Sequence, residues 1–134
     1  MSTHESSRFS SSVATAVAFA TLLTARCYAD SLPDTPRGDA AHGKTVYQVC
    51  MACHSLDEDD VGPRHRGVVG RVAGSVPGYA YSRALKNSGL KWNTANLDRW
   101  LTNPQALIPG VKMFFAMPNA QDRADVIAYL AEQR

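Results

Sequence analysis

Cys50-Met51-Ala52-Cys53-His54 gathers more reactive side chains than any other stretch of the chain. On a helical turn, residues three and four apart share a face. Cys50, Cys53 and His54 therefore point the same way. Two thiols placed like this can add to two vinyl groups on one edge of a porphyrin, and the adjacent imidazole then lies beneath the metal. The pattern is that of a covalent haem-attachment site. Other uses of a Cys pair fit less well. A zinc centre needs four ligands, and the chain has no second Cys pair and no closely spaced His pair; His42, His54 and His65 match no common zinc spacing. A thioredoxin-like redox pair belongs beside a strand–helix–strand unit, and no such pattern is present.

His54 supplies one axial bond, and the second decides what the iron does. A sulfur ligand closes the iron and raises its potential, whereas an open position permits ligand binding or catalysis. Met51 sits between the attachment cysteines and cannot fold round to the distal side. Met113 and Met117 both fall in the last long loop, and spacing alone leaves both open.

The elements that position these residues begin after a leader. Residues 1–29 read as a secretory signal: Arg8, an uncharged stretch from Phe9 to Ala25 with its apolar centre at Val13–Leu23, then Cys27 and Ala29 at −3 and −1 of a cut before Asp30. The apolar centre is too short and too rich in Ser and Thr for a membrane span. After that cut Cys50 and Cys53 are the cysteines left, and the net charge is +1, against +2 for the whole chain. Residues 30–38, with two prolines and a glycine, read as a flexible leader, and residues 39–134 as one domain. A charge so near zero gives no broad basic field, which excludes nucleic acid as a partner. Three cysteines are too few for a disulfide-stapled scaffold, and 45% hydrophobic residues exclude a disordered chain.

Within the domain the periodicity is helical. Asp39 is placed to cap a helix carrying Val46, Tyr47, Val49 and Cys50, with Gly43 inside it as the mark of a close helix crossing. Tyr81–Asn87 predicts a short helix. Thr94–Thr102 predicts another, with Leu97, Trp100 and Leu101 on one face and Asn103-Pro104 ending it. Residues 104–118 read as loop. Asn119 caps the clearest helix, whose buried stripe is Val126, Ile127, Tyr129 and Leu130. Residues 55–80, with five glycines and two prolines, show no period. So long a loop in so small a domain needs something other than chain to pack against, and a macrocycle provides it. The fold class is all-α with long irregular loops.

Asn103-Pro104-Gln-Ala-Leu-Ile-Pro109-Gly110-Val-Lys112-Met113-Phe-Phe115-Ala116 resembles the axial-methionine loop of the mitochondrial and bacterial class I cytochromes c. The resemblance runs from about residue 39 to 132. Gly43, Tyr47 and the attachment motif match the first helix, and Asp125-Val-Ile-Ala-Tyr129-Leu130 the terminal helix that crosses it near Gly43. Val61-Gly62-Pro63 matches the segment whose proline carbonyl accepts the proximal His N–H. Gly70-Arg71, Gly78-Tyr79-Ala80-Tyr81 and Leu90-Lys91-Trp92 match the surroundings of the haem propionates. The resemblance implies the cytochrome c fold, one haem c bound through Cys50 and Cys53, and iron ligated by His54 and Met113, with Met117 a packing residue. It implies that Arg71, Tyr81 and Trp92 are propionate partners. Trp100 stands where many relatives have Tyr near the axial sulfur, and His65 where they often have an apolar residue.

The expected function is single-electron carriage between respiratory or photosynthetic redox proteins, by a monomer in the periplasm and not by an enzyme. The alternative is a haem-bearing relay subunit of a periplasmic dehydrogenase or oxidase complex; a third reading, with Met113 detached, is a ligand-binding or peroxidatic haem protein. The family's ring of lysines is thin here: Lys44, Lys86, Lys91 and Lys112 are all the chain has. Arg64, Arg66 and Arg83 are left either as additions to a patch or as solvated loop charges, and Asp57-Glu58-Asp59-Asp60 as a solvated acidic turn. Docking is therefore expected to be only moderately salt-sensitive.

Overall fold

The computed structural model describes residues 36–134. The signal segment read at 1–29, its cut, and most of the leader lie outside the described residues. Five α-helices follow one another: α1 (Ala40–Val46), α2 (Arg83–Lys86), α3 (Thr94–Thr102), α4 (Pro104–Leu107) and α5 (Ala120–Glu132). A 3-10 turn, Tyr47–Ala52, continues α1. Among the described residues the only β feature is one isolated antiparallel bridge, Val72 to Lys91. No described helix is long and apolar enough to cross a membrane.

Caps set the helix starts. The Asp39 carboxylate accepts from the N–H groups of Ala41 and His42, and Asn119 Oδ1 from those of Gln121 and Asp122. α4 is an addition to the expected loop. Asn103, expected to end α3, also caps the next turn through Ala106 N–H, and Pro104 takes the first helical position, where its missing N–H costs nothing. One Asn-Pro pair both stops a helix and starts another. The helix expected at Tyr81–Asn87 is shorter, because Ser82 rather than Tyr81 is the cap.

α1 and α5 cross against one another, and α3 packs on α5. The crossing is close at Gly43: a Cβ there would lie 2.0 Å from the Asp125 carbonyl oxygen. The predicted stripe of α5 is buried throughout, with Val126 wholly inaccessible. Asp125 is the buried acid beside that stripe. Its carboxylate accepts from Asp39 N–H (2.7 Å), His42 Nδ1 (2.8 Å) and Gln121 Nε2 (2.8 Å), so the charge is fully partnered. The end of the expected leader joins this contact: Arg37 O accepts from Gln121, and Gly38 packs on Ala124.

The long loop between the 3-10 turn and α2 is tied by backbone bonds to distant chain. Gly62 N–H donates to Cys53 O, Gly70 N–H to Trp92 O, and Ala73 N–H to Leu90 O. These ties hold the loop along one side of a cavity instead of against a core of its own.

Candidate haem site

Cys50, Cys53 and His54 come together as their spacing requires. The turn that carries them is tighter than an α-helix: the N–H groups of Cys53 and His54 both donate to Cys50 O, at 3.1 and 2.9 Å. A 3-10 turn is a common ending for a short helix, and all three residues line one cavity. Neither cysteine is tied in a disulfide, so both sulfurs are available for thioether bonds.

His54 is oriented by the loop. Its Nδ1 lies 2.7 Å from Pro63 O. A carbonyl only accepts, so Nδ1 carries the proton and Nε2 keeps the lone pair that binds a metal. Burial holds the ring below the ordinary imidazole value, hence neutral, against the opposing pull of that carbonyl. Gly62 makes the placement feasible: a Cβ there would sit 2.1 Å from His54 Cε1. His65 stacks on His54 with centroids 4.0 Å apart and 21° between the planes, and its Nδ1 lies 3.1 Å from Tyr47 Oη. Burial first, then His54 and Arg71, push His65 down to about 3. It is a neutral imidazole packed on His54.

The cavity has a volume of about 320 Å³. That is roughly twice an engineered large-to-small cavity of about 150 Å³, so it is not a packing defect. Its walls are mainly apolar, with Leu85, Leu101, Val111, Val126 and Leu130 among them. Lys112 is the one formal charge among the lining residues. An apolar chamber with two free thiols, a neutral imidazole and a thioether suits a flat apolar macrocycle with a metal at its centre.

Met113 lines this chamber, and Met117 does not. Met117 is buried elsewhere, its N–H on Leu101 O. The Trp100 indole Nε1 donates to Met113 Sδ at 3.2 Å. Sequence reasoning assigned Gln105 no role, yet it organises the loop. Its amide donates to Val111 O (2.8 Å) and Met113 O (3.1 Å) and accepts from Gly110 N–H (3.3 Å). The signal was available: a side chain with both donor and acceptor, set one turn before Pro109-Gly110. Gly110 itself turns with φ +86°, a conformation glycine adopts without strain.

Of the three expected propionate partners, Tyr81 lines the cavity while Arg71 and Trp92 stand behind the lining. Arg71 is near enough to Tyr81 for its charge to act on the phenol, although burial dominates and raises it. The Arg71 guanidinium donates to Arg66 O (3.1 Å) and Arg64 O (2.8 Å). Trp92 is buried edge-on against Trp100, with ring centroids 5.0 Å apart.

The cytochrome c family profile matches residues 40–134, which span the whole of this site. The chain belongs to the cytochrome c family. It is 51% identical over 100 residues to cytochrome c2 of Rhodomicrobium vannielii, covering 72% of this chain and 80% of that one. It is 43% identical over 106 residues to cytochrome c type-1 of Ascaris suum, covering 76% and 95%. Among solved structures, cytochrome cH from Methylobacterium extorquens superimposes with a TM-score of 0.68 at 46% identity, covering 70% of this chain and 98% of that one. The family is that of class I cytochromes c, so the fold expected from the sequence is the fold observed, and the group held covalently at the Cys50–His54 motif is haem c. The protein is an electron carrier.

Proposed function

We propose that this cytochrome holds its iron between His54 Nε2 and Met113 Sδ and passes single electrons between periplasmic redox proteins without binding a substrate. The haem supplies a one-electron ferrous/ferric couple when bound. The chain's own residues do the rest. Pro63 fixes the His54 tautomer, Gln105 holds the Met113 loop, and the apolar walls exclude water. Trp100 holds the sulfur in the chamber. Tyr81, with the positive charge of Arg71 behind it and Trp92 further in, forms the side that faces the propionates. A leader cut after Ala29 carries the chain across the membrane, and the protein works as a monomer.

The observation that carries this reading is the Trp100–Met113 bond inside the chamber that also holds the attachment residues. A sulfur oriented by Trp100 in the chamber that also holds His54 supports Met113 as the residue that would hold the iron with it. The test is carbon monoxide added to the reduced native protein at neutral pH. A closed six-coordinate iron leaves the spectrum unchanged. Stoichiometric binding would contradict the assignment and favour a ligand-binding haem protein.

A further inference from the structure

The hydrogen bond to Pro63 O holds one atom of the His54 ring, Nδ1, at 2.7 Å. A ring tethered at a single atom can still pivot about that bond. His65 removes the freedom. The two imidazoles lie face to face, with centroids 4.0 Å apart and 21° between the planes. At that spacing a turn of either ring drives its edge into the other.

His65 is itself fixed through its backbone and its ring. Its N–H donates to Ser55 O at 2.9 Å, and its carbonyl accepts from Val68 N–H at 2.8 Å. Its Nδ1 lies 3.1 Å from Tyr47 Oη, within hydrogen-bond range. Tyr47 is buried and packs on Tyr129 of α5, with centroids 5.2 Å apart. His54 and His65 line the chamber, whereas Tyr47 is not among its lining residues. A continuous line of contacts therefore runs from the α1–α5 crossing through Tyr47 and His65 to His54. An aliphatic side chain at position 65 would fill the volume, but it has no hydrogen-bonding group for Tyr47 and no flat face for the stack.

We propose that His65, held by the Tyr47 hydroxyl, is a positioning residue that fixes the plane of the His54 ring. The proposal rests on the reading that His54 is an axial ligand. Pro63 then sets which nitrogen is left to bind the iron, and the Tyr47–His65 pair sets the direction in which the ring faces. The consequence is electronic. An axial imidazole held in one direction separates a pair of iron d orbitals that are otherwise equivalent, so in the low-spin ferric state the unpaired spin spreads unevenly over the haem methyl groups. A ring free to pivot averages that unevenness away.

The test is proton NMR of the oxidised, haem-loaded protein, which reads the spread of the paramagnetically shifted haem methyl signals. Tyr47→Phe deletes the hydroxyl and keeps the buried ring. The spread should narrow in Tyr47→Phe and narrow further in His65→Leu, with the far-red sulfur-to-iron band retained in both. The double variant should match His65→Leu alone, because Tyr47 acts through His65. Met117→Leu, at a buried position outside the chamber lining, should leave the pattern in place. An unchanged pattern in Tyr47→Phe would overturn the proposal, since His65 would then need no anchor. Effects that add in the double variant would overturn it too, as would an equal narrowing in Met117→Leu, the mark of a general loosening of the fold. If His65→Leu does not fold, Tyr47→Phe set against Met117→Leu still decides. A wild-type protein without low-spin methyl signals would take down the axial reading of His54 and the proposal with it, whereas a normal wild-type spectrum with unmoved variants sinks the positioning role alone.

Discussion

The α1–α5 crossing and the cavity are built on opposite plans. At the crossing the chain completes itself. Gly43 lets two backbones touch, Val126 is wholly buried, and every oxygen of Asp125 has a donor from the protein. Around the cavity the chain is shaped for another group: two cysteines, a neutral imidazole and a thioether line mainly apolar walls. The comparison teaches that the terminal helices close on one another, whereas the loops, tied to distant chain by backbone bonds, are arranged around a chamber. Four perturbations, from the largest expected effect to the smallest, break or sharpen that contrast.

Cys50→Ser with Cys53→Ser removes both thioether bonds. All pigment should then extract into acidified acetone, and hydrogen exchange should rise through residues 53–82 while α5 keeps the greater protection. Equal loss of protection in both regions would show that the crossing depends on haem as much as the loops do. Gly43→Val acts on the other region. Its side chain runs into the Asp125 backbone, and neither helix can give way cheaply, so about 3 kcal/mol of stability should be lost in denaturant unfolding, with the haem spectrum retained in the folded fraction.

Trp100→Phe keeps an aromatic ring, though a smaller one, and deletes the N–H on Met113 Sδ. A donor on the sulfur draws electron density from it and favours the reduced iron, so its loss should lower the reduction potential. A hydrogen bond worth about 0.5–1.5 kcal/mol limits the drop to roughly 20–65 mV. A redox titration reads this directly, and an unchanged potential would make Trp100 a packing residue only.

The smallest effect concerns pH. The hydrogen bond to Asp125 raises His42 above its ordinary 6.5, against the opposing effect of burial and with help from the charges of Asp125, Asp122 and Asp39. Asp125 is lowered below 3.8, first by the Asp39 N–H and then by His42 and Gln121. A raised imidazole contributes stability in full below 6.5 and loses it as pH climbs through the raised value. A lowered carboxylate contributes above 3.8 and loses it as pH falls through the depressed value. The crossing should therefore be most stable between about 4 and 6.5. In His42→Ala the decline on the alkaline side should vanish from melting curves, while the acid loss remains.

Much of this was legible beforehand for definite reasons. The Asp39 and Asn119 caps, the α5 stripe and the Gly43 crossing follow from local rules that a sequence displays: a cap needs one side chain, a stripe needs one period. The attachment motif was equally plain, because its three groups lie within a single turn. What escaped depends on contacts between segments far apart. Asp125 owes its buried, partnered place to α1, which brings Asp39 and His42 to it. Gln105 gained its role only when the Pro109-Gly110 turn folded back over it. Arg71 spends two donors on loop carbonyls, which no spacing reveals. The choice between Met113 and Met117 was closed at the sequence level only by family resemblance. In the structure the two differ by which wall of the molecule each lines.

That choice is also the point on which the account turns. The far-red sulfur-to-iron absorption band of the oxidised protein, recorded for Met113→Ala and Met117→Leu side by side, tests it most directly. The band should disappear in Met113→Ala and persist in Met117→Leu. A band that survives loss of Met113 would contradict the assignment of the second axial ligand.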